Sequence, residues 1–186
     1  MRLACLCLAA GLAAAPAAAF DVATLFDRLS KERPQRAIFH EKKHMALLDR
    51  PLESSGELVF TPPHTMEKRT TSPRPERVVV DRERITLERG GRRHTVGLRD
   101  NPAAAVLVES IRATLAGDLA AVTRTYSVGL EGNAASWKIR LRPLDASLTS
   151  LVERIEIGGT EAQVRSVEIF QADGDRSVMS LSPVAR

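Results

Sequence analysis

Cysteine is missing from almost the whole chain: Cys5 and Cys7 are the only two among 186 residues, and both lie in the first seven. Once the leader described below is removed, nothing remains that could form a disulfide or act as a thiolate. Stability must then come from burial in a core. Aromatic residues are scarce as well, with five Phe, one Tyr and one Trp, so a large apolar interior has few bulky rings to fill it. No apolar run after residue 19 approaches the ~20 residues of a membrane-spanning helix, and the mature chain reads as soluble. A strong charge of one sign is also lacking, because the net charge is only +4 and both signs are mixed along the chain. The basic groups Arg82/Arg84 and Arg89/Arg92/Arg93 flank turns and read as a solvated edge; no nucleic-acid partner is expected.

Catalytic signatures are equally thin. Ser54-Ser55 and Ser72 stand in no G-x-S-x-G elbow, Asp173-Gly174-Asp175 is too short for a calcium loop, and no glycine-rich phosphate loop follows a strand. The expectation is a chain without catalytic residues, metal or cofactor. One motif runs against it: His40-Glu41-Lys42-Lys43-His44 satisfies H-E-x-x-H, with His64 twenty residues beyond His44. On a helix the two histidines would share a face and could grip one zinc ion, as in a peptidase. On a strand they stand four rises apart, roughly 13 Å, too far to share an ion. The surrounding pattern is that of a strand.

What is present begins with a leader. Met1-Arg2 supplies a short positive start, Leu3 to Ala15 an apolar stretch, and Ala17-Ala18-Ala19 a small-residue cleavage pattern before Phe20. This is the form of a secretory signal peptide cut after Ala19, without the well-placed cysteine of a lipoprotein signal. Removing nineteen residues leaves 167 of the 186, residues 20–186, a normal size for one domain, with the charge lowered from +4 to +3.

Alternation with period two then dominates. Ala37, Phe39, Met45 and Leu47 predict a long first strand whose inner face also carries polar positions. Leu58 and Phe60 share one face of the next; Pro62-Pro63 breaks it, Thr65 to Thr71 forms a third strand, and Val78-Val79-Val80 a fourth. Ile85 and Leu87 follow, with a hairpin at Gly90-Gly91. Later strands are predicted around Tyr126 to Leu130, Trp137 to Leu141, Ile155 and Ile157, Val164 to Phe170, and Ser177 to Leu181, with a turn at Gly158-Gly159. Helical spacing marks Val22, Leu25, Phe26 and Leu29 behind Asp21, up to Pro34. It returns at Ala104, Leu107, Val108, Ile111 and Leu115 behind Asn101-Pro102, closed by Gly117, with further short turns from Asp118 and around Leu148. The fold class expected is mainly β with α: a large curved antiparallel sheet of ten or eleven strands closed by amphipathic helices.

Several local motifs in this order resemble the LolA family of periplasmic lipoprotein carriers. They are Phe39-His40-Glu41-Lys42, Ser55-Gly56-Glu57-Leu58-Val59-Phe60 with Pro63, Pro73 to Asp81, and Ala172-Asp173-Gly174-Asp175-Arg176-Ser177. The resemblance implies an incomplete β-barrel with helical lids and a periplasmic carrier, not an enzyme, whose cavity takes lipoprotein acyl chains or other lipid cargo. Its partners would be an inner-membrane transporter and an outer-membrane acceptor, and the carrier itself is expected to be a monomer. The sheet side of the cavity is expected from Leu58, Phe60, Met66, Val78, Val80 and Leu87, with Trp137, Ile139 and Leu141. Leu25, Leu29, Leu107 and Ile111 are expected to face it from the helices. Two departures stand out. Pro62 occupies the place of the family's arginine before Pro63, so the associated release switch is not expected here. The chain also ends at Arg186 without the longer C-terminal extension tied to receptor delivery. The alternatives are an envelope interaction module with a filled core and a zinc peptidase using His40, Glu41 and His44.

Overall fold

Asp21 opens the first helix, α1 (Val22–Ser30), its carboxylate accepting a hydrogen bond from the Thr24 amide at 2.7 Å. Leu25, Phe26 and Leu29 form its fully buried stripe. These positions come from a computed structural model, which describes residues 20–31 and 35–184; the expected signal peptide and Pro34, the expected end of the helix, lie outside the described residues.

Six strands follow as an antiparallel meander: β1 (Gln35–His44), β2 (Leu52–Thr61), β3 (Thr65–Ser72), β4 (Glu76–Asp81), β5 (Arg84–Arg89) and β6 (Arg92–Gly97). Gly90 and Gly91 make the β5–β6 hairpin with φ of +57° and +76°, the positive pair that a two-residue turn of this hand requires. The chain then crosses the sheet through a 3-10 turn (Leu98–Asp100), α2 (Pro102–Leu115) and α3 (Leu119–Thr125). From the far edge it returns through β7 (Tyr126–Asn133), β8 (Ser136–Pro143), a short α4 (Ala146–Thr149), β9 (Val152–Thr160), β10 (Gln163–Gln171) and β11 (Arg176–Pro183). Because β11 pairs with β1, all eleven strands belong to one sheet in the order 6-5-4-3-2-1-11-10-9-8-7. The edge strands β6 and β7 do not meet, and the barrel stays open. The eleven-stranded antiparallel sheet is the one expected from the alternation, and the open barrel is what the family resemblance implies.

The register puts like residues in rows across the inner face. Met179 stands opposite Glu41, Val167 opposite Met179, Ile157 opposite Val167, Ile139 opposite Ile157 and Leu130 opposite Ile139. An apolar row thus crosses five strands and ends at a carboxylate on the sixth.

Two local expectations are corrected. The first strand ends at His44, not near Leu47, which is 93% exposed. Here the chain has already turned, the Ala46 amide donating to Asp175 Oδ1 at 3.0 Å, so the alternation of Met45 and Leu47 has no sheet face to follow. Gly158 and Gly159 are not a turn but lie inside β9; the turn falls at Glu161-Ala162. Trp137 stands directly opposite Gly159, and a Cβ there would come within 2.2 Å of the indole Cζ2. The glycine makes room for the ring.

The outer face is covered by ion pairs. Glu156 accepts from Lys138 Nζ, Arg140 Nε and Arg154 Nε, each at 3.1 Å. Burial pushes its carboxyl up, but these three cations outweigh that and hold it at about 2. Glu67 is likewise held at about 2, first by its bonds from Arg77 and then by Arg69 against the opposing effect of burial. Both carboxyls lie below their ordinary value of 4.5, so their stabilisation is complete above about pH 4.5 and is lost as pH falls toward 2. Thermal melting between about pH 5 and about pH 2 is expected to show this loss. Glu156→Gln should flatten part of the slope while lowering the melting temperature at neutral pH. An unchanged slope would show that Glu156 is not a hub of stability.

Candidate functional site

The helices cover the two halves of the sheet differently. Over β7 to β10 they pack closely: Leu25, Phe26 and Leu29 of α1, with Val122 and Tyr126, close on Trp137, Ile139, Leu141, Ile155 and Ile157. Over the other half stands α2, whose main neighbours are α1, α3 and the 3-10 turn, with no strand among them. It is held at its ends and across the middle. Asn101 caps it by accepting from the Ala104 amide at 3.1 Å; Tyr126 Oη donates to the Val106 carbonyl at 3.3 Å; Arg112 Nη1 donates to the Arg82 carbonyl in the β4–β5 turn at 2.9 Å. A helix bridged in this way over a curved sheet leaves space beneath it.

That space is a cavity of about 980 Å³, at the top of the range for sites that hold a small molecule, ~300–1,000 Å³. Leu58, Phe60, Met66, Val78 and Val80 form one wall, Val164, Val167, Ile169, Met179 and Leu181 the other, and Ile111 and Leu115 of α2 the roof. Among the described lining residues Phe60 is the one aromatic, so few bulky rings fill the space. The lining also includes Lys31, Arg36, Gln163 and Val184, all exposed, so the cavity reaches solvent where β1 begins and β11 ends.

Away from this mouth the wall is polar. Glu41 lies six residues along β1 from Gln35, about 20 Å, and its carboxylate is held by three residues. Ser177 Oγ donates at 2.7 Å and Ser54 Oγ at 3.2 Å, and the Lys68 ammonium makes a short ion pair. Lys68 crosses above the fully buried ring of Phe39, its Nζ 4.8 Å from the centroid. Burial works to raise the Glu41 carboxyl, but the Lys68 charge and the bonds from Lys68, Ser177 and Ser54 hold it below the ordinary carboxylate value. Glu41, Lys68 and Ser177 all border the cavity.

The predicted wall residues divide between cavity and core. Leu58, Phe60, Met66, Val78, Val80 and Ile111 line the cavity. Leu25, Leu29, Trp137, Ile139 and Leu141 belong to the closed core instead, and Leu107 packs against that core. Leu87 lies one strand beyond the lining, opposite Val78. Sequence reasoning missed the β10–β11 wall and the polar cluster. Period-two parity with Phe39 and Met66 already points Glu41 and Lys68 inward, whereas the pairing of β1 with β11 spans the whole chain and leaves no local signal.

The H-E-x-x-H motif is taken apart by β1. His40 and His44 fall on the exposed face, Glu41 turns inward, and His64 lies in the β2–β3 turn. Among the described residues no group of three His, Cys, Asp or Glu could hold a metal ion.

Residues 14–186 match the family model described as outer membrane lipoprotein carrier protein LolA-like. The chain belongs to the LolA-like family. This is a family of lipid- or lipoprotein-binding carriers, and in this chain it takes the form of an open eleven-stranded sheet under helices. No curated protein matches the sequence. Among solved structures, a LolA superfamily protein from Nitrosomonas europaea aligns with a TM-score of 0.48 and 10% identity, covering 87% of this chain and 90% of that one. MucB in its complex with MucA from Pseudomonas aeruginosa aligns at 0.46 and 16% identity over 88% of this chain, which spans 57% of that chain. LprF from Mycobacterium bovis aligns at 0.36 and 14% identity, with coverage of 88% and 94%. Membership of the LolA-like family rests on the family match, not on these distant likenesses.

Proposed function

We propose that the chain is exported to the periplasm, cut after Ala19, and works there as a carrier. Its cavity would hold the acyl chains of lipoproteins or other lipids and ferry them toward the outer membrane. The observation that carries this reading is the apolar chamber of about 980 Å³ between α2 and strands β1 to β4, β10 and β11. An interaction module with a filled core has no use for that space. The proposed partners are an inner-membrane donor that loads the cargo and an outer-membrane acceptor that takes it, with the carrier itself a monomer.

Energetics constrain such a carrier. Burying a methylene is worth ~0.8 kcal/mol, so a chain of about sixteen carbons gains on the order of 10 kcal/mol. Spontaneous release would be slow unless part of the chain stays wet or the roof moves. The roof is the more lightly held cover: α2 reaches the sheet through the Tyr126 hydroxyl on β7, the Arg112 bond to the β4–β5 turn and the packing of residues such as Leu107 against the closed core.

The reading is tested by titrating residues 20–186 with the apolar fluorophore N-phenyl-1-naphthylamine and competing it off with palmitate. Saturable enhancement at one dye per chain, reversed by palmitate, is the expected result. A chain that folds but neither enhances the dye nor responds to palmitate would overturn it.

A further inference from the structure

The cavity wall carries an ion pair where a container for hydrocarbon needs none. Glu41 and Lys68 neutralise each other, so the cluster offers a ligand no net charge. It does offer unused hydrogen-bonding capacity. An ammonium has three donors, and among the described residues Lys68 Nζ donates only to Glu41. A carboxylate has about four acceptor positions, and Glu41 fills three with Ser54, Lys68 and Ser177. Ser177 donates its proton to Glu41 and keeps its lone pairs.

We propose that Glu41, Lys68 and Ser177 form a polar subsite within the cavity that receives a neutral amide or hydroxyl carried on an alkyl chain. This rests on the carrier reading and narrows its cargo to amphiphiles with a neutral hydrogen-bonding group that enters the cavity with the chain. A group that both accepts and donates accepts a hydrogen bond from Lys68 and donates one to Glu41 or Ser177. A carboxylate could use Lys68 but would face Glu41 and arrive without a counter-ion in an apolar chamber. A plain hydrocarbon would strip water from both charges and replace none of its hydrogen bonds. Of the apolar row that stops at Glu41, Val167 and Met179 line the cavity, which places the change from hydrocarbon to polar contact at that point of the wall.

The test is displacement of N-phenyl-1-naphthylamine by four probes of matched chain length: N-decylacetamide, 1-decanol, decanoate and 1-decene. Each is measured on the native mature chain, on the paired substitution Glu41→Leu/Lys68→Met, which leaves neither charge unpaired, and on the milder Ser177→Ala. The native chain is expected to prefer the amide and the alcohol to decanoate. The paired substitution should weaken both about tenfold while 1-decene binds as well or better, and Ser177→Ala should act in the same direction by a few-fold. Ser177→Ala keeps both charges and so decides the matter if the paired variant does not fold. Preference for decanoate, or an equal effect on all four probes, overturns the subsite and leaves the carrier standing. Failure of every probe, 1-decene included, overturns the carrier and the subsite with it.

Discussion

Leu58→Trp is expected to lower the affinity for an apolar ligand at least a hundredfold and to leave the fold intact. Leu58 sits on β2 between Ala37 and Lys68 in the register, and its side chain borders the cavity. An indole there would occupy space otherwise filled by roughly three or four methylenes of cargo, each worth ~0.8 kcal/mol, or about 3 kcal/mol in all. That corresponds to more than two powers of ten in affinity. The added rings enter a void, not a packed core, so the stability change should stay within about 1 kcal/mol, below the usual cost of overpacking. Dye titration and urea unfolding on the same preparation separate the two effects. Loss of fold with loss of binding would mean that this wall is part of the core, and unchanged binding would mean that ligands sit elsewhere.

Trp137→Ala is expected to do the reverse. The indole is 3% exposed, lies against Gly159, and donates from Nε1 to the Glu161 carbonyl at 2.8 Å. It belongs to the core that α1 and α3 close, and the backbone of β9 is built around it. Truncation leaves a cavity next to a glycine that cannot fill it, and the cost should be about 3–5 kcal/mol. That is a large fraction of the roughly 5–15 kcal/mol that holds a domain folded, and the urea midpoint should fall accordingly. In conditions where the variant is folded, dye affinity should change by no more than about threefold, well under 1 kcal/mol. A stable variant that no longer binds would place Trp137 in the ligand wall and contradict the division between core and cavity.

That division marks how far the sequence could be read. Alternation at Leu58 and Phe60, at Ile85 and Leu87, and at Trp137, Ile139 and Leu141 was sufficient for strands, because period two is a local property. Asp21 and Asn101 announced helix starts through capping chemistry that needs only three or four neighbouring residues. The same reasoning failed at Gly158-Gly159, where glycine answers to a ring one strand away, not to a turn. It could not separate Ile139 from Val80 either. Both are inward-facing strand residues, and what distinguishes them is whether α1 or α2 lies above, a consequence of where the chain crosses the sheet. The motif His40-Glu41-x-x-His44 shows the same limit from the other side. As a string it implies a shared metal, and as a strand it sends two histidines to solvent and one carboxylate into the cavity. Family resemblance supplied what local patterns could not, since the order of motifs carries the topology with it.

The carrier account is tested most directly by native mass spectrometry of the mature chain, purified from the periplasm without detergent, followed by denaturation and identification of whatever is released. The account predicts a near-stoichiometric amphiphile, a lipid or acylated peptide, bound to a monomer of residues 20–186. A clean unliganded mass, from protein that also fails to take up an apolar probe, would contradict it.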